Sequence, residues 1–175
     1  MTMKNISRWG LLLFVAALIA PQSSYAYYTT HQEATKITDQ SAFYTLTYSF
    51  GLPDADVYLP ITTQRTDIND MGNAAVGYTF NASVDGDSNA GTSAGLVLSN
   101  AIIVDNMYKV PAGTRATFTL FTILTLDQSD AKAKYALQAT NLPYKKVTLD
   151  GEEKQLGLNI HELTHYVTPK VGLNK

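Results

Sequence analysis

Residues 161–165, His161-Glu162-Leu163-Thr164-His165, have the residue types and spacing of a hydrolytic zinc site. Two imidazoles four residues apart on one face of an α-helix are separated by about 6 Å of rise. Both then reach one metal at about 2 Å, and the glutamate between them serves as general base. In a strand the same histidines stand about 13 Å apart and Glu162 points to the opposite face. The conformation of this stretch therefore decides whether His161, Glu162 and His165 can form a Zn²⁺ centre of a metal-dependent hydrolase.

The local signals conflict. Asn159, with Glu162 three residues on, has the pattern of a capping box; Ile160, Leu163 and Val167 have helical spacing, and Pro169 would end such a helix. Thr164, Val167 and Thr168 are β-branched and favour a strand continuing from Leu156, Leu158 and Ile160. After His165 the run YVTPKVGLNK contains no His, Asp or Glu to act as third ligand, and His31 is the only other histidine. The motif is therefore read as a chance match in the last structural element, bounded by Asn159 and Pro169, with Glu162 as a cap or surface charge.

Two other stretches imitate sites. Gly91-Thr92-Ser93-Ala94-Gly95 matches a nucleophile elbow, but the elbow needs a helix after the serine, and LVLSNAIIV reads as strand. The five residues are expected to form a flexible inter-strand loop. Asp85, Asp87 and Asn89 occupy the first, third and fifth positions of a calcium-loop pattern, which defines a weak Ca²⁺ candidate. Ala90 replaces its turn glycine and Leu96 its bidentate glutamate. Tyr27, Tyr28, Tyr58, Tyr108, Tyr144 and Tyr166 lie near segment ends, where an exposed ring can bind a glycan or another protein.

The elements that position these residues read as strands. Over Ala42–Phe50 and Ala75–Val84, apolar and polar residues alternate, so each segment is expected to bury one side and wet the other. Ala116–Leu126 is apolar on both faces and is expected to be a central strand covered on both sides. Shorter candidates are 57–62, 96–104, 107–110, 135–140, 146–149 and 155–160, separated by turn residues such as Asp105-Asn106, Pro111-Ala112-Gly113 and Asp150-Gly151. Asp127–Lys134 could form one or two helical turns. Eight or nine short strands point to an all-β, single-domain antiparallel β-sandwich, immunoglobulin-like or jelly-roll-like, because a lone sheet leaves one apolar face uncovered.

The first residues have the three parts of a secretory signal: Lys4 and Arg8, the apolar run Leu11–Ala20, and small residues at Ser24 and Ala26. The expected organisation is a cleavable signal peptide over 1–26, an N-terminal arm over 27–41 that is loose at its start and offers a first edge strand, and a sandwich domain over 42–175. About 150 residues remain after cleavage, enough for one core. The absence of cysteine leaves stability to packing and hydrogen bonds. Losing Lys4 and Arg8 takes Lys plus Arg from 13 to 11 against 15 Asp plus Glu, a net charge of −4 that attracts no nucleic acid. No further apolar run is long enough to span a membrane once the signal is removed. These features describe an exported, periplasmic or extracellular protein without enzymatic activity or cofactor. It would be a structural, assembly or ligand-binding module whose partner is a protein or glycan, or a second copy joined by strand addition.

Overall fold

The computed structural model describes residues 28–66, 74–127, 132–159 and 161–174. The expected signal segment and Tyr27 lie outside the described residues, as do the side chains of residues 28–30. Twelve strands and no helix run through the described residues: β1 (Tyr28–Lys36), β2 (Ser41–Phe50), β3 (Ala55–Pro60), β4 (Thr63–Arg65), β5 (Val76–Ala82), β6 (Thr92–Ser99), β7 (Ile102–Val104), β8 (Met107–Val110), β9 (Ala116–Thr125), β10 (Ala133–Thr148), β11 (Glu153–Asn159) and β12 (Val171–Leu173). Of the helical turns expected over 127–134, residues 128–131 lie outside the described residues, and Ala133 already begins β10.

The strands form two sheets. One is four-stranded and antiparallel, in the order β1-β2-β9-β6. The other runs β4-β5-β10-β3-β8-β7, with β11 and β12 also on β10. In it β4 and β5 are parallel, pairing Thr63 with Val76 and Arg65 with Tyr78. This corrects the expectation of a wholly antiparallel arrangement, because the chain leaving β4 re-enters the sheet in the same direction.

β10 organises the second sheet. Asn141 faces both Gly77 of β5 and Asn159 of β11, while Lys145 faces both Tyr58 of β3 and Gln155 of β11. Thus β5 and β3 follow one another along one edge of β10, and β12 and β11 along the other. Two short strands, 135–140 and 146–149, are expected here, and Pro143, which has no ladder donor, lies between them. Pro143 in fact falls between the end of the β5 pairing at Asn141 and the start of the β3 pairing at Lys145, so one strand of 16 residues continues through it.

The inner faces meet across an aromatic core. Tyr44 of β2 lies 5.3 Å from Phe80 of β5, and its hydroxyl donates to the Tyr135 carbonyl. Tyr108 of β8 packs edge-on against Phe118 of β9 at 5.8 Å. Burial raises the Tyr44 and Tyr48 hydroxyls above the usual phenol range, so both stay neutral.

The outer faces differ from expectation. β5 is buried on both sides from Val76 to Phe80, its far face bearing Gly77 and Thr79 beside the buried Gln138 and Thr140 of β10. β9, expected to be covered on both sides, is covered on one: Phe118, Leu120 and Leu124 are buried, whereas Ile123 is 41% exposed. Apolar content on a second face does not create a layer to cover it. The covered residues on the far face of β5 and β10 are small or polar, and Thr140 of β10 bonds at 2.8 Å to Thr66, which follows β4.

Candidate functional site

The zinc-like motif lies where the chain leaves β11 at Asn159 and must run back along β10 to begin β12 at Val171. It is neither helix nor strand. His161–Glu162 and Thr164–His165 form two successive turns, which corrects both expected conformations. β10 anchors the return: Gln138 Nε2 donates to the Leu163 carbonyl at 2.8 Å, Ala139 N to Tyr166 O at 3.0 Å and Thr168 N to Leu137 O at 2.9 Å. From the other sheet, the Gln32 side chain of β1 donates to the His165 carbonyl.

The side chains sort in the opposite sense to a metal site. Leu163 is fully buried and Tyr166 nearly so, its ring 6.2 Å from that of Tyr48. His161, Glu162 and His165 are exposed. The stretch plugs the opening between the sheets on the β1 side, with the apolar residues of the motif inside and its ligand types outside. His31 sits on β1 with Nε2 3.3 Å from Glu33. Among the described residues no three His, Asp or Glu side chains converge on a point where a metal ion could be held. Asn159 does bound an element, as the last residue of β11, and Pro169 lies between the plug and β12.

The serine motif is not a loop. Thr92–Ser99 is β6, no helix follows, and Ser93 Oγ lies 3.2 Å from the Tyr78 hydroxyl. Gly91 immediately before this strand has φ +65°, and a Cβ there would fall 2.1 Å from the Thr125 carbonyl oxygen, so the position requires glycine.

The calcium candidate is organised by a side chain that sequence spacing did not reveal. The Arg65 guanidinium donates to the carbonyls of Ser88 (2.6 Å), Ala90 (3.0 Å) and Gly91 (3.0 Å), and lies 5.2 Å from the centre of the Phe80 ring. The Asp87 carboxylate accepts the Asn89 N–H at 2.8 Å, and Asp85, Asp87 and Asn89 are all exposed. A resident cation thus occupies the carbonyl oxygens that turn inward in this loop.

Of the tyrosines named as candidate binding rings, Tyr108 and Tyr166 are buried, Tyr144 packs on Phe50 at 5.0 Å, and Tyr28 presents no described side chain. Tyr58 is half-buried between two ammonium groups, Lys145 at 4.8 Å and Lys109 at 5.6 Å from its ring centre.

The two edges of the four-stranded sheet are unlike. At β6, Thr63 donates to the Gly95 carbonyl (2.7 Å) and Tyr108 to the Val97 carbonyl (3.0 Å), so both carbonyls point away from β9 and are occupied by side chains of the other sheet. N–H and C=O alternate sides along a strand. Carrying that alternation through the registers of β6, β9, β2 and β1 turns the backbone groups of Gln32, Ala34 and Lys36 outward. β1 is therefore an edge strand of nine residues, where the sequence suggested a loose start, and no strand of the described residues pairs with its outer side.

Comparison of the chain with protein-family models, with curated proteins and with solved structures finds no match. The fold and its edges are therefore read from their own chemistry: an all-β chain of two packed sheets, the four-stranded one with a capped edge at β6 and an unpaired edge at β1. Among the described residues no helix is long and apolar enough to cross a membrane.

Proposed function

We propose that this chain is an exported, non-enzymatic β-sandwich module, immunoglobulin-like or jelly-roll-like, that works outside the cytoplasm by assembling with other chains through strand addition at β1. The observation that carries this reading is the asymmetry of the edges. An uncovered edge strand is a template for pairing, and chains that do not use one ordinarily block it. Here the Gly95 and Val97 carbonyls of β6 are capped from the opposite sheet, while no strand of the described residues pairs with the outward backbone groups of Gln32, Ala34 and Lys36 on β1. The outward exposure of the zinc-like motif's ligand types supports the non-enzymatic part.

The test is Ala34→Pro, which removes an outward N–H and leaves the ladder to β2 intact. Light scattering and electron microscopy of the purified chain should show concentration-dependent polymers, and the variant should lose them with its melting temperature nearly unchanged. A wild type that stays monomeric at the highest attainable concentration overturns the reading.

A further inference from the structure

β2, β9 and β6 lie side by side and contain no charged residue in 10, 10 and 8 positions. Their inner side is core. Their outer side, which no described layer covers, presents Phe43, Leu96, Leu98, Phe121 and Ile123 set among threonines, with Leu96 49% and Leu98 54% exposed. Phe43 and Phe121 stack at 5.7 Å, and with Leu96 and Ile123 they border a depression of about 120 Å³. Within the four strands, the ionisable side chains on this side are His31 and Glu33 of β1, at the margin. The other sheet carries its ion pairs instead, Asp56 with Lys109, Lys145 with Glu153 and Lys146 with Asp54.

We infer that this face is a self-association surface, on which a second copy of the chain stacks face to face about a two-fold axis. Depletion of charge at the centre, aromatic and aliphatic side chains there and a polar rim are the composition of an interface core. The neutrality also selects the occupant. A charged partner would leave its charges desolvated against this face, whereas the face meeting itself sets no like charges opposite one another. Area agrees: four strands about 4.8 Å apart and about nine residues long give a flat footprint of about 570 Å², and protruding side chains add to it, against about 800 Å² of accessible surface per partner in a standard interface. The inference rests on the assembly reading above and adds a second contact to it, since stacking leaves the β1 edge free.

Sedimentation velocity of wild type, Leu96→Lys, Leu98→Lys and Ala34→Pro, each checked for fold by circular dichroism, tests it. Ala34→Pro should remain a dimer, and each lysine variant should weaken the dimer about thirtyfold or more while keeping the wild-type spectrum and melting temperature. Dimers of wild type and Ala34→Pro without polymers would keep this inference and end the strand-addition reading. Polymers that neither lysine variant affects would do the reverse. A monomeric wild type that floats with phosphatidylcholine vesicles, and fails to do so as Leu96→Lys, would make the occupant a lipid surface and overturn the inference. A monomeric wild type that ignores vesicles overturns it as well.

Discussion

Leu163 contributes more to this molecule than either histidine beside it. Its side chain is fully enclosed, so Leu163→Ala should cost about 3 kcal/mol through lost burial and the cavity left behind. His161→Ala and His165→Ala, at exposed turn positions, should each stay within about 0.5 kcal/mol. Denaturant titration of the three variants checks both statements, and EDTA should leave the melting curve in place. Stoichiometric zinc in chelator-free protein would contradict this view. Ionisation adds a second residue-scale prediction. The hydrogen bond from Lys109, with support from the Ala112 N–H, holds the Asp56 carboxyl below its ordinary range. A carboxyl lowered in the folded state contributes stability above its unfolded value of about 3.9 and loses it as pH falls through the folded value. Asp56→Asn should therefore lower the melting temperature at neutral pH, and the difference should shrink as pH falls below about 3.9.

At the scale of elements, the side chain with the widest reach is Arg65, which joins β4 to the 88–91 turn and to Phe80 of β5. Arg65→Ala would strip donors from three carbonyls, and Arg65→Lys, lacking the planar fork, should restore little. Limited proteolysis of the 84–91 segment should quicken in both variants. The strands with strict alternation, β2 above all, were legible because period and burial coincide there. Three kinds of feature were not. β4 and β12 are three residues each, too short to show a period. β10 was masked by Pro143, whose missing donor is harmless only because its neighbours on one edge stop and start around it. The plug could not be identified as turns, since capping residues, helical spacing and β-branched residues gave contradictory local signals, and contacts with Gln138 and Tyr48, distant in sequence, decided among them. Sequence alone did not show which faces are covered either: β5 and β9 exchange the environments expected of them.

For the molecule as a whole, the assembly reading predicts a processed chain. Intact mass of protein recovered from outside the cytoplasm should correspond to a start at Tyr27, and a start at Met1 would count against export by a cleaved signal. The candidate site was legible in part: the missing third ligand after His165 was visible in the sequence, while the capped and open edges exist only once two sheets are brought together. One feature of the sheet also bears on how fast the fold can be reached. β10 pairs with residues 55–58 and 77–82, which precede it, and with residues 153–159 and 171–173, which follow. Chain segments this far apart must be brought together against loop-closure entropy before their pairing is rewarded. A nascent chain therefore cannot complete this sheet until residue 173 has been made, which keeps the apolar strands of a shorter chain exposed until then.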